Sequence, residues 1–306
     1  MIRGRRAWIL IGVLVTSLTL LTGSASAGTV YGDLQLRYES TGTNWSQLPG
    51  REAQSAYDPC FGPERLVGVG AWVAESTLLS PWESTFKLGK AWNASIRPIN
   101  EATEPPKPDS SHQVADTLFK TPHNMRLTEN TICAESTLQP TYPSAKRMSP
   151  GRERTTVKAG CTGGTHVLSG GGAGSGPFKS QRLVESAPFD SDDAGTKPDD
   201  GWRVAVDNMT NKRRSAKAYA ICADVQGLSY ESAPFTEQDH FRVHRQVGCP
   251  SGEYVAGGGL RQQVPYGKAK LVASRYLPVT LDAWIIELDN VSAAQSTGRT
   301  FAICHS

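Results

Sequence analysis

Few groups in this chain are spaced for chemistry. Gly170-Gly171-Gly172-Ala173-Gly174-Ser175-Gly176 has the glycine density of a phosphate cradle. Such a loop also needs Gly-Lys-Ser or Gly-Lys-Thr, because the lysine reaches the phosphates and the hydroxyl holds magnesium. Here Lys179-Ser180 follows Phe178, and the matching run Gly257-Gly258-Gly259 has no such lysine. The glycines therefore read as packing residues, where a strand bulges or another backbone approaches closely. His240 and His244 would share a zinc ion only on a helix, and the run Val243-His244-Arg245-Gln246-Val247 reads as a strand. Asp190, Asp192, Asp193 and Gly195 resemble the start of a calcium loop, but Ala194 and Gly201 stand where oxygen ligands are required. Ser169 lacks the Gly-x-Ser-x-Gly setting of a hydrolase nucleophile. His166 falls in a strand and reads as a structural residue. No catalytic residue, cofactor site or metal site follows from these spacings. What remains is aromatic: a tryptophan ring held in solvent can pack on a sugar face. Trp45, Trp72 and Trp82 are the candidate ligand-binding residues, because they lie outside the regular strand pattern.

That pattern is a repeat. Trp202, Asn208 and Cys222 recur at the same spacing as Trp284, Asn290 and Cys304. Each closing cysteine ends a similar tripeptide: Ala-Ile-Cys222, Ala-Ile-Cys304 and Thr-Ile-Cys133. Upstream, Cys60, Cys161 and Cys249 each precede a glycine-rich strand. An internal repeat of this length decides the fold reading before any local pattern does. Within it, Trp284, Ile286 and Leu288 alternate with Ile285, Glu287 and Asp289, the period-2 signature of a strand with one buried face. Trp202, Val204 and Val206 repeat this, and Asn208 and Asn290 then mark turns. Asn208 and Asn290 also open Asn-x-Ser/Thr sequons, as do Asn44 and Asn93, but the turn role explains the repeated pair. The closing strands carry apolar groups on both faces and should be central. No segment holds a helical period for three turns.

The expected fold is all-β: three repeated, roughly four-stranded antiparallel units, each closed by one disulfide. The repeat pairs Cys60 with Cys133, Cys161 with Cys222 and Cys249 with Cys304, opening strand to closing strand. Two arrangements fit, a β-prism-like shared core or tandem small sandwiches in a row. The expected boundaries are a signal peptide at 1–27, an N-terminal extension at 28–55, repeat 1 at 56–136, repeat 2 at 152–226 and repeat 3 at 240–306. Repeat 1 is divergent and carries the insert Glu104-Pro105-Pro106-Lys107-Pro108, a surface loop. The pentapeptide Glu-Ser-Ala-Pro-Phe occurs at 185 and again at 231, and the repeat does not explain the second copy.

The first residues read as an address. Arg3, Arg5 and Arg6 precede an apolar run, and Ala25-Ser26-Ala27 is a small-residue cleavage site after Ala27, the pattern of a secretory signal peptide. The expectation is a secreted, extracellular protein without a membrane span in its mature chain. Six cysteines in the mature region then read as disulfides, since an exporting cell oxidises them outside the cytosol. Without the signal's three arginines the chain holds 29 basic and 29 acidic residues, which argues against a nucleic-acid binder. The run Lys212-Arg213-Arg214 is read as a solvated turn between strands.

Cys249-Pro250-x-Gly252, Gly257-Gly258-Gly259, Ser274, Trp284, Asn290 and Ala302-Ile303-Cys304 resemble a Cys-bounded β repeat of exported actinomycete-type bacterial proteins. That group has no settled activity, so the resemblance implies compartment and fold class only. The threefold repetition is similar to that of β-prism proteins, without their sequence signatures. The functional expectation is an exported, non-catalytic binding protein for a cell-surface or extracellular polysaccharide. The alternatives are a structural, envelope-associated secreted protein with no small ligand, and a secreted hydrolase with a loop-built site; the expected partner is a polysaccharide or another surface protein.

Overall fold

The computed structural model describes residues 36–42, 54–60, 64–75, 94–99, 114–119, 125–134, 137–175, 181–191, 195–237, 242–277, 279–290 and 295–306. The expected signal peptide and Ala27 lie outside them. These residues form 18 strands and no helix, so no helix among them is long and apolar enough to cross a membrane. Repeat 1 holds β1 (Arg37–Gly42), β2 (Gln54–Pro59), β3 (Arg65–Glu75), β4 (Ala94–Ile99), β5 (Val114–Phe119) and β6 (Met125–Ala134). Repeat 2 holds β7 (Ser144–Ser149), β8 (Arg154–Gly160), β9 (His166–Gly174), β10 (Gln181–Phe189), β11 (Gly201–Asn208) and β12 (Arg214–Ala223). Repeat 3 holds β13 (Leu228–Glu237), β14 (Arg242–Gly248), β15 (Tyr254–Gln263), β16 (Ala269–Tyr276), β17 (Ala283–Asn290) and β18 (Ser296–His305).

Each repeat thus has six strands where four were expected. The first strand of each lies upstream of the expected boundary. β7 and β13 are edge strands whose residues are largely exposed or half-buried, so they carry no clear apolar alternation. Their pairing partners, and not their own composition, make them strands. The second Glu-Ser-Ala-Pro-Phe falls in the edge strand β13, the first in the fully buried β10 of the same sheet.

Every repeat splits into two three-stranded halves. The closing strand is central in one: β1-β6-β3, β7-β12-β9 and β13-β18-β15. The tryptophan strand is central in the other two well-matched cases: β8-β11-β10 and β14-β17-β16. The halves are then exchanged. β16 of repeat 3 pairs with β3 of repeat 1, and β10 of repeat 2 pairs with β15 of repeat 3, so two six-stranded sheets are each shared by two repeats. In the third place β4 of repeat 1 packs beside β9 of repeat 2.

The disulfides join Cys60–Cys133, Cys161–Cys222 and Cys249–Cys304, across separations of 73, 61 and 55 residues. In the chain-entropy treatment a closed loop of this size contributes about 4 kcal/mol. Next to each closing cysteine the opening strand bulges, leaving Val67, Leu168 and Ala256 unpaired at equivalent positions. The bulges face one another. A Cβ on Gly68 would lie 2.2 Å from the Ala256 carbonyl oxygen, and one on Gly257 would lie 2.2 Å from that of Leu168. At the third equivalent position Ser169 has a side chain, and its Oγ accepts from the Val69 amide at 3.4 Å.

A tyrosine from each repeat ties it to another. Tyr38 Oη donates to Val255 O at 2.8 Å, Tyr142 Oη to Leu66 O at 3.0 Å and Tyr230 Oη to Val167 O at 2.9 Å. Each acceptor is the residue paired with its own closing cysteine. The ring of hydrogen bonds runs from repeat 1 to 3, 3 to 2 and 2 to 1. Burial pushes the Tyr142 and Tyr230 phenols up, which favours their protonated, donating form. The apolar core is one cluster that includes Val67 and Ile132, Val204 and Cys222, and Ile286 and Cys304.

Trp202 and Trp284 sit in this core at 1 % exposure, as the strand alternation requires. Their indole N–H groups donate to Ser186 Oγ at 2.9 Å and Ser274 Oγ at 3.0 Å. Glycines from the opening strands lie against the rings, where a Cβ on Gly170 or Gly258 would come within 2.3 Å of indole Cγ. The glycine runs are packing devices, as expected. Asn208 is buried at the end of β11. Its Nδ2 donates to Ser149 O, Pro150 O and Lys212 O, and its Oδ1 accepts from Thr210 N and Oγ1. This is the turn role inferred from the repeat, and a sequon amide so committed is closed to a glycan. Asn208→Ala would strand these carbonyls without a donor. We expect a loss of about 2–3 kcal/mol, measured as a lower denaturation midpoint.

Candidate basic face on the second six-stranded sheet

The sheet of order β13-β18-β15-β10-β11-β8 buries Trp202, Val204 and Val206 on its inner side. Alternation then sends Arg203 and Asp207 of β11 to the outer side, with Arg154 and Lys158 opposite them on β8. Glu185 on β10 and Arg261 on β15 share this face, and Arg261 pairs directly with Arg299 on β18. The register of the sheet therefore collects cations that are far apart in sequence. The outer face of the other six-stranded sheet differs: Ile285 stands where Arg203 stands here, and it is buried.

The acids on the basic face are committed. Asp207 is buried and accepts from Arg154 Nε at 2.6 Å, Arg154 Nη2 at 2.9 Å and the Gly267 amide at 2.6 Å. Arg154 Nη1 also donates to Val264 O at 2.7 Å, so the turn between β15 and β16 closes this end of the face. Glu185 is 5 % exposed, with Oε1 2.5 Å from Arg203 Nε. Burial pushes its carboxyl up, and Arg203, Arg261 and Arg154 pull the other way. Lys158 Nζ lies 4.6 Å from the centre of the Phe189 ring, a cation–π contact that leaves the ammonium toward solvent.

At the other end an open groove of about 250 Å³ runs along β15 and β18. Arg261, Gln263, Thr297 and Arg299 line it, with Phe301 at its base. All four lining groups are exposed, and Phe301 is 8 % exposed. Arg299 Nη1 donates to Ser232 Oγ at 2.8 Å, which holds the guanidinium beside the groove. The groove rests on the hydrogen-bonded ladder of β15 and β18, and Cys249–Cys304 ties β18 to the loop that precedes β15. Its equipment is guanidinium, amide and hydroxyl above an aromatic edge. Such groups bind oxygen-rich ligands and orient them; guanidiniums match carboxylate and sulfate groups with two parallel hydrogen bonds.

A second, smaller recess of about 90 Å³ is lined by His166, Lys197, Asp199, Gln226 and Tyr230. His166 Nδ1 lies 3.0 Å from Asp199 Oδ2, a partner that no spacing in the sequence shows. Among the described residues no group of three or more His, Cys, Asp or Glu side chains could hold a metal ion.

The described lining residues of this groove include none of the tryptophans proposed from sequence. Trp45 and Trp82 lie outside the described residues. The backbone of Trp72 belongs to β3 and pairs with Ala273 and Thr128, the register position that Arg261 holds in repeat 3; its side chain lies outside the description. His240, Asp192 and Asp193 are also outside it, while His244 Nδ1 lies 3.6 Å from Glu287 Oε1 across β14 and β17. The groove residues were missed in sequence. Their only signal is alternation, with Arg261 and Gln263 exposed on one side of Gln262, which is buried. The chain matches no protein-family model and no curated protein sequence.

Proposed function

We propose that the chain is an exported, non-catalytic binding protein that recognises a cell-surface or extracellular polysaccharide. The groove over Phe301 carries this reading. It places amide, hydroxyl and guanidinium donors over an apolar floor on a rigid sheet, the mixture that a sugar ring with its polar rim and apolar face requires. Three disulfides support an oxidising compartment. The arginine-led apolar run and the small-residue site Ala25-Ser26-Ala27 support export by a cleaved signal. Trp45, Trp72 and Trp82 remain candidates for further sugar contacts in this reading.

The test is retention of the mature chain, Gly28 onward, on a panel of insoluble and soluble polysaccharides. Retention on one or more polymers is expected, with loss of retention when Gln263 and Thr297 are both changed to Ala. Uniform absence of retention would overturn the reading.

A further inference from the structure

Resting on that reading, we infer that the polysaccharide is acidic and lies across the strands of the basic face, anchored by Arg261 and Arg299.

The first ground is the pairing of Arg261 with Arg299. They are directly opposed neighbours on β15 and β18, and like charges in that relation destabilise a sheet. Both are exposed and neither contributes to the apolar core; within the fold Arg299 is held by Ser232 and Arg261 lies near the already paired Glu185. Glu185, the acid across from Arg261, is buried and engaged by Arg203. An external anion removes the repulsion and takes two forked donors at once.

The second ground is extent. Moving along the sheet from Arg299, unneutralised cations stand on β18, β15 and β8, as Arg299, Arg261 and Lys158, while Arg203 on β11 is paired with Glu185 of β10. Strands lie about 4.8 Å apart, so this row covers about 19 Å. A small anion meets only one end of it, whereas a chain bearing a charge on successive sugars meets all of it. The third ground separates sugar from nucleic acid. Recognition of single-stranded nucleic acid stacks bases on exposed aromatic faces. Here the aromatic ring in the groove is at its base, and the groups at its rim are amide and hydroxyl, which suit sugar hydroxyls between the charges.

The experiment measures binding of the full mature chain to polygalacturonate oligomers of increasing length, to dextran as a neutral polymer, and to polyphosphate and single-stranded DNA. The proteins are the native chain, Arg261→Gln, Arg299→Gln, their double variant, and Lys212→Gln on the turn between β11 and β12, outside the groove lining. Thermal melting of each checks folding; both arginines are exposed, so little change is expected. We expect polygalacturonate affinity that rises with length and falls with salt. Each arginine change should weaken it about tenfold, the scale of one charge-assisted contact, with Lys212→Gln unchanged. Binding of dextran equal to that of polygalacturonate, undisturbed by the arginine changes, would overturn this inference and leave the polysaccharide reading standing. Equal or tighter binding of polyphosphate or DNA would overturn it in favour of a general polyanion site. Absence of binding to every polymer would overturn both.

Discussion

Trp284→Ala is expected to destabilise the protein by about 3–5 kcal/mol, the range for deleting a large aromatic from a core. At roughly 2–4 °C per kcal/mol for a chain of this size, the melting temperature should fall by about 10 °C or more. Three features place the cost at the upper part of the range. The ring is 1 % exposed, so all of its transfer energy is at stake. The cavity cannot collapse from below, since Gly258 has no side chain to move and its backbone is held in the β15–β18 ladder. Ser274 is also buried and would lose the indole N–H as a partner. Trp284→Phe separates these contributions: it retains most of the volume, and the hydrogen bond alone is worth about 1 kcal/mol. Equal losses for Ala and Phe in calorimetry would show that packing is not what Trp284 supplies.

Gly257→Val should be comparably severe, by the opposite mechanism. A Cβ there would stand 2.2 Å from Leu168 O and 2.9 Å from Ser169 Cβ. Neither neighbour is the end of a flexible side chain. Leu168 is the bulged residue of repeat 2, so relief requires two repeats to separate where their bulges meet. Overpacking at such a place costs about 3 kcal/mol. Ser169→Gly at the third equivalent position removes only a 3.4 Å contact with the Val69 amide, so its effect should be about 1 kcal/mol or less. A Gly257→Val chain with native denaturation midpoint would refute the close approach of the repeats.

These predictions depend on residues of unequal legibility. Trp284 was assigned to the core from alternation alone, and the structure agrees, because a strand with one buried face writes that face into every second residue. The same holds for Trp202 and for Asn208 at the turn. The cysteine pairing followed from the repeat, since equivalent cysteines must make equivalent bonds. The packing role of Gly257 was readable as a type of role, but its neighbour in repeat 2 was not. The tyrosine ring had a partial signal: Tyr142 and Tyr230 stand at the same distance before Cys161 and Cys249, while Tyr38 is displaced relative to Cys60. Tyr142 stands just before the edge strand β7 and Tyr230 within the edge strand β13, segments whose own composition reads as connection.

The candidate site was hardly legible at all. Arg261 and Arg299 are each ordinary exposed residues of a strand. Their significance lies in the register that sets them opposite one another, and register between distant strands is a product of the whole sheet. The neutral charge balance of the mature chain concealed the basic face for the same reason, since composition averages over surfaces that the fold keeps apart. The division has a physical basis. By itself the sequence determined the all-β class, the inward faces of the tryptophan strands and the disulfide pairing, because each is written in local period or in the matching spacing of the cysteines. Only the tertiary structure decided that β7 and β13 are strands, that repeats exchange halves of sheets, and that scattered arginines line one face. Those outcomes depend on hydrogen-bond partners from other repeats, and a strand's own side chains do not specify which partner lies beside it.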